Sequence, residues 1–370
     1  MKRVNINIVI CIFLSLLLFP TLTYSGNEQR AGQAGASELL INPWSRSSGW
    51  GSCNSSSVRG LEATFSNVAG TAFIKKTELI FSRVTWLKGT DIFINSFGLS
   101  QALGESGVLS LSVMSMDFGK IEITTVDLPE GGLGTFHPNY TNIALSFAKE
   151  FSNSIYGGAT IKIINEKISD LSANGVALDA GIQYITGLGT NKLGKKNRDN
   201  LKFGISLKNW GPTMKYRGDG MSIRATTQSG VIMTAENRSA DFELPSLINI
   251  GISYDIKLFQ KVDTINNKIT SDHRISLALN YTSNSFTKDQ FGFGLEYGLK
   301  NFLMIRGGYV YEKGIESYDT RTTVFTGPTA GVTLQIPLGK ESGSTFSIDY
   351  SYRATNPFDG THSIGAKITL

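Results

Sequence analysis

Apolar and polar residues alternate with a period of two along much of the chain. In Thr361–Leu370, Ile364, Ala366, Ile368 and Leu370 share one face, and Ser363, Gly365, Lys367 and Thr369 share the other. A strand sorts successive side chains in this way. The same sorting sets Ile248, Ile250, Ile252, Tyr254 and Ile256 against Asn249, Gly251, Ser253 and Asp255. It recurs in Leu201–Lys208, in Arg274–Tyr281 and in the Phe291–Tyr297 run. The pattern predicts fourteen strands, near residues 77–86, 91–99, 107–127, 141–151, 155–168, 175–187, 201–211, 247–257, 272–284, 288–299, 302–312, 328–338, 344–353 and 361–370. A separate strand at Phe118–Asp127 would break that even count. Asn27–Phe73, rich in Gly, Ser and Ala, carries no sustained alternation and is expected to lie outside the wall.

Periodicity does not say which face is wet, because a soluble sandwich alternates as well. Three further features favour a membrane. Lys2 and Arg3 precede the apolar run Ile8–Phe19, and small residues follow at Thr23 and Ser25, the layout of a secretory signal. Many predicted strands reach the ~9–11 residues that cross a bilayer. Tyr297, Tyr309, Tyr311, Tyr350 and Tyr352 sit near strand ends, where interfacial girdles belong. The expected fold is therefore all-β, a transmembrane antiparallel β-barrel of about 14 strands. Its expected organisation is a signal peptide at 1–25, a plug-like segment at 26–76 and the barrel at 77–370, in the bacterial outer membrane. Loops 128–140, 212–246, 313–327 and 355–360 would face outward, and tight turns such as 152–154 and 300–301 inward.

Composition narrows the chemistry. The chain has 370 residues, 40 of them Gly, and only 18% charged. Removal of the signal lowers the net charge from +5 to +3, too weak and too dispersed a bias for nucleic acid. Cys11 lies in the signal, so Cys53 would be alone in the mature chain and reads as a small filler residue. His137, His273 and His362 are far apart and without a ligand cluster, so no metal is assigned. There is no GxSxG turn and no GxxxxGK[ST] loop. No catalytic residue and no cofactor is assigned, and an enzyme is not expected. Asp179, Glu296 and Asp349 are expected to face the lumen and to pair with Lys202, Lys208 or Arg274.

Two segments carry a family resemblance. Ile41-Asn42-Pro43-Trp44-Ser45-Arg46-Ser47-Ser48-Gly49-Trp50-Gly51 resembles the NP-x-x-R-x-x-G-x-G signature of the PorV/PorQ family, whose members share the fold of the FadL fatty-acid transporters. Leu207–Gly220, containing Lys208-Asn209-Trp210-Gly211 and Met214-Lys215-Tyr216 ahead of Gly218-Asp219-Gly220, is similar to a more specific stretch of that family. The closing Ile348–Arg353 and Gly360–His362 resemble its last hairpin. The chain departs at Ser66-Asn67-Val68-Ala69-Gly70, which lacks the family's proline, and at Leu370, where an aromatic is usual.

The resemblance implies a component of type IX protein secretion embedded in outer-membrane lipid. Its implied partners are a SprA/Sov-type translocon barrel, a PorU-type sortase attachment complex and secreted proteins bearing the type IX C-terminal domain. Read physically, Asn42, Pro43, Arg46, Gly49 and Gly51 suit a folded plug-like strand in the lumen or a plain linker, with Arg46 as a lumen ion-pair partner. Trp210, Met214, Lys215, Tyr216, Arg217, Asp219 and Met221 open the longest outward loop, offering apolar area ringed by charge for a protein contact or a rim-capping turn in the interfacial belt. The competing function is FadL-like transport of small hydrophobic molecules. The polar inward residues Lys202, Ser206, Lys208, Asn249, Ser253, Arg274 and Asn280 argue against it.

Overall fold

A computed structural model describes residues 27–190, 194, 197–263, 268–339 and 343–370. The expected signal peptide, residues 1–25, lies outside the described residues. Fourteen strands form the wall: β1 (Thr77–Trp86), β2 (Ile92–Ala102), β3 (Val108–Asp117), β4 (Asn139–Ser152), β5 (Ile155–Ile168), β6 (Leu171–Thr186), β7 (Leu201–Trp210), β8 (Leu247–Leu258), β9 (His273–Asn284), β10 (Gln290–Leu299), β11 (Leu303–Glu312), β12 (Phe325–Pro337), β13 (Thr345–Thr355) and β14 (Thr361–Thr369). Each pairs antiparallel with its sequence neighbours, and β1 closes on β14 with Arg83 opposite Ile364. Closure leaves the wall without an edge.

The third predicted strand stops earlier than its apolar pattern suggests. Asp117 accepts a hydrogen bond from Gly119 N–H at 2.9 Å, and Gly119 takes φ +79°, so the chain turns out of the wall. Ile121–Glu122 then pairs with Thr135–Phe136 in a small outer hairpin. Phe118–Asp127 is thus no wall strand, and the even count holds.

Residues of the alternating apolar rows stand exposed on the outside of the cylinder. Phe81, Phe97, Leu111, Leu145, Ile163, Ile182, Ile205, Ile250, Phe291, Ile305, Leu334, Ile348 and Ile364 give one such residue on each of thirteen strands. Burial between two sheets would have hidden them. A continuous apolar ring far exceeds the patches that soluble proteins tolerate, so its solvent is lipid. This is an integral outer-membrane β-barrel.

Residues 34–74 occupy the inside of the cylinder, while residues 27–33 lie largely exposed beside the long outer loop, with Arg30 paired to Glu243. Ser37–Leu40 forms a short 3-10 turn, followed by helices α1 (Ser45–Gly49) and α2 (Ala63–Ser66) and a 3-10 turn at Val68–Phe73. The segment expected as a strand at residues 42–51 is instead helical at its centre. Asn42 Oδ1 accepts the Trp44 N–H at 3.0 Å and turns the chain before α1. Inward-facing wall glycines let it lie close to the strands. Ser45 meets Gly365 on β14, Gly49 meets Gly331 on β12, Trp50 meets Gly308 on β11 and Gly294 on β10, and Ser55 meets Gly251 on β8. The segment therefore winds back along the wall in descending strand order. A Cβ at Gly251 would stand 2.3 Å from Ser55 Oγ, a distance real side chains do not tolerate.

Candidate functional site

The lumen is held by two kinds of contact. On the side of β7 to β14 they are polar. Glu296, 2% exposed, accepts from Arg274 at 2.8 Å and Arg306 at 3.0 Å, with Arg46 of α1 3.6 Å away. Arg46 also reaches Glu62 at 3.8 Å, and Ser47 Oγ donates to Glu62 at 2.6 Å. Arg306 in turn donates to Thr333 at 2.5 Å and lies 3.9 Å from Asp349. Removing one member of such a buried set strands the others without partners.

The lumen pairing differs from the sequence expectation in its partners. Asp179 pairs with Lys162 at 2.5 Å, and Lys202 with Asp255 at 2.5 Å. Lys208 pairs with no carboxylate within 4 Å among the described residues; its Nζ stands 3.5 Å above the Phe65 ring. Only the Glu296–Arg274 pair joins residues named from sequence.

Plug residues Asn42, Pro43, Gly49 and Gly51 are buried with Arg46 partly so. Asn42 Nδ2 donates to Ser52 Oγ at 3.0 Å, and Gly51 takes φ +64° beneath Val310. Further on, Asn67 Nδ2 donates to the Ser55 and Ile182 carbonyls, and Gln183 of β6 donates to those of Ser55 and Val58. Cys53 is buried against Gly292, and burial pushes its thiol up to about 12, so it is inert at neutral pH.

The other side of the lumen carries an apolar cluster in its outer half, which the polar inward residues named from sequence on β7 to β9 do not reveal. Val84, Ile94, Met114, Met116, Tyr140 and Ile164 point inward from β1 to β5. Leu39 of the plug and Met214 and Leu244 of the long loop fill the space between them. The residues read as inward from sequence lie on β7 to β9, where they are polar; on β1 to β3 inward Ser82, Ser96 and Ser110 give way toward the outer end to Val84, Ile94, Met114 and Met116.

The outer loop residues split into four groups. A bulge at Asn209, with φ +57°, puts two consecutive residues inward and throws Trp210 outward, 61% exposed. Asn209 is pinned there: its N–H donates to Asp179, Lys162 donates to its Oδ1, and its Nδ2 donates to the Pro245 carbonyl. Met214 is 1% exposed and packed inward, which removes it from the expected exposed contact. Its backbone exchanges both hydrogen bonds with Phe242, which sets the side chain into the apolar cluster. Tyr216 donates to Glu166 at 2.6 Å; burial, and after it this hydrogen bond, raises its phenol above the ordinary range, and Lys215 lies 3.5 Å from Asp241. Arg217, Asp219 and Met221 stay at the surface around a 3-10 turn.

Beyond them, Ser222–Thr226 and Ile232–Glu236 form a hairpin that presents Ile223, Val231, Ile232 and Met233, each half exposed or more. Sequence reading passed over these four residues because the loop's overall polarity is mixed. The apolar run Val231-Ile232-Met233 directly after Ser229-Gly230, with Ile223 ahead of that turn, was the available signal. Among the described residues no cluster of His, Cys, Asp or Glu gathers at metal-binding distance.

The class of protein is thus a plugged outer-membrane barrel with a structured outer loop. No protein-family model matches the chain, and a search of curated proteins gives no match. Similar solved structures include a Pseudomonas aeruginosa FadL homologue, with 11% identity, TM-score 0.48 and coverage of 88% of this chain and 96% of that one. The Pseudomonas putida toluene transporter TodX gives 13%, 0.48, 85% and 94%. The Ralstonia pickettii toluene transporter TbuX gives 12%, 0.45, 84% and 92%.

Proposed function

We propose that this barrel is a non-enzymatic adaptor of type IX-like protein secretion. It docks on a translocon barrel through its outer loop and passes cargo bearing a C-terminal domain to a surface attachment complex. The observation that carries this reading is the hairpin of loop 211–246, whose Ile223, Val231, Ile232 and Met233 stand unpacked above a rim fixed by Met214, Tyr216 and Asn209. Rigid support beneath exposed apolar side chains suits a protein contact. The filled lumen agrees with it, because an adaptor needs no conduit. The resemblance at Asn42–Gly51 and Leu207–Gly220 points the same way.

A strain lacking the protein is expected to accumulate C-terminal-domain proteins in the periplasm. Reintroducing the chain with Ile232→Asp and Met233→Asp should restore the barrel but not recovery of the translocon on pull-down. Normal secretion in the deletion strain would sink the proposal. A second reading, passage of small hydrophobic molecules, is favoured by the apolar cluster in the outer lumen. Under it the deletion strain would secrete normally and lose uptake of a hydrophobic carbon source.

A further inference from the structure

Below the plug, at the end of the barrel that holds both Thr77 and Thr369, lies a cavity of about 650 Å³. Its roof is the underside of the plug, including Asn54, Ser57 and Arg59, and its walls are the inward residues at the periplasmic ends of β7 to β9 and β14. That volume is typical of a small-molecule site. The acidic side chains on its lining are already engaged. Asp199 pairs with Lys257, Asp255 with Lys202, and Glu296 with three arginines. Glu62 holds Arg46 and Ser47, and Glu78 accepts the Leu61 N–H at 2.7 Å. By contrast, Arg59, Lys75, Lys76 and Lys367 line the cavity with no carboxylate within 4 Å among the described residues.

Arg59 is held ready for a ligand. Its guanidinium lies 4.4 Å from the centre of the Phe73 ring, whose other neighbour is Tyr156 at 4.1 Å. Contact with the ring face restrains the guanidinium and leaves N–H groups for a planar or tetrahedral oxyanion. We propose that this vestibule binds a small soluble anion bearing two or more oxyanion groups, carboxylate or phosphate. A ligand of that kind answers cations on two sides that make no direct ion pair: Arg59, Lys75 and Lys76, exposed on the plug and its exit, and Lys367 of β14; Asp199 and Asp255 act on Arg59, and Glu62 on Lys367, only from beyond contact distance. The inference does not rest on the partner reading above.

The test is titration calorimetry on the purified barrel in an uncharged detergent at low ionic strength, where screening is weakest. Citrate and pyrophosphate serve as the two probes, one for each oxyanion source. One-to-one saturable binding of at least one probe is expected, with Kd below about 1 mM. The double variant Arg59→Gln, Lys367→Gln should weaken it by about tenfold or more, the scale of one or two charge-assisted hydrogen bonds. Arg59→Lys, which keeps the charge, should lose less than Arg59→Gln. Lys120→Gln with Arg238→Gln removes the same charge from exposed loops at the opposite end and should leave binding unchanged. Absence of saturable binding to both probes would overturn the proposal. So would equal losses in the vestibule and outer-loop variants, or a double variant that binds like the parent.

Discussion

The two sides of the lumen are closed by opposite chemistries. From β7 to β14 the plug is fixed by buried charge and by glycine, with Glu296 joining Arg274 and Arg306 of the wall to Arg46 of the plug. From β1 to β5 the outer half is fixed by packing, with Leu39 and Met214 seated among Val84, Ile94, Met114 and Ile164. The first kind of contact is directional and fails when one partner is lost. The second fails in proportion to the volume removed. One side therefore sets where the plug sits, and the other seals the outer end.

The largest effect is expected at the hub of the polar side. Glu296→Ala leaves three guanidinium groups without their shared acceptor, a loss of roughly 3–5 kcal/mol for a broken buried pair. Urea unfolding of the folded barrel in lipid vesicles would measure it. Protease added at the periplasmic end should then cut within residues 42–58, which the parent buries. A stability unchanged by this substitution would mean that the charges do not hold the plug.

Leu39→Ala and Met214→Ala come next, at about 2–5 kcal/mol each for truncation in a packed cluster. Here the outer loop should become susceptible to protease near Gly218–Gly230 while the plug stays protected. Cleavage of the plug instead would join the two sides into one cooperative unit. Gly181→Leu probes the approach of plug to wall, since a Cβ there would lie 2.1 Å from Asn67 Oδ1. Overpacking of this sort costs about 1–3 kcal/mol, and a single-channel recording should show whether the displaced plug opens a conductance that the parent lacks.

The wall was legible in the sequence because each strand sorts its faces by parity, and Ile364 or Ile250 facing out leaves Gly365 or Gly251 facing in. The glycines themselves were visible, but their purpose was not: that Gly251 makes room for Ser55 depends on two segments almost 200 positions apart. Pairing within the lumen was equally out of reach. Nothing local tells Asp179 to choose Lys162 on β5 over Lys208 on its other neighbour. The bulge at Asn209 hid the direction of Trp210, since one extra inward residue flips every later side chain. Met214 misled for a related reason, because a methionine in a long loop gives no sign that its backbone pairs with Phe242.

The smallest predicted effect tests whether burial, and not charge as such, gives the polar side its strength. Two Lys–Asp pairs lie near each other at the periplasmic end, both joining β8 to β7 or the turn before it. Lys202–Asp255 is buried, whereas Lys257 and Asp199 have side chains 40% and 58% exposed at 2.9 Å. Water and salt screen the second pair, so Lys257→Ala is expected to cost no more than about 1 kcal/mol and to cost nothing measurable in 1 M salt, on the order of the highest ionic strength used for such screening. Lys202→Ala should cost several times more and show little salt dependence, because Asp255 would be left desolvated beside Ser276. Equal losses in the two variants would mean that the lumen mouth is as dry as its centre. The division between a fixed plug and a wet vestibule beneath it would then have to be moved outward.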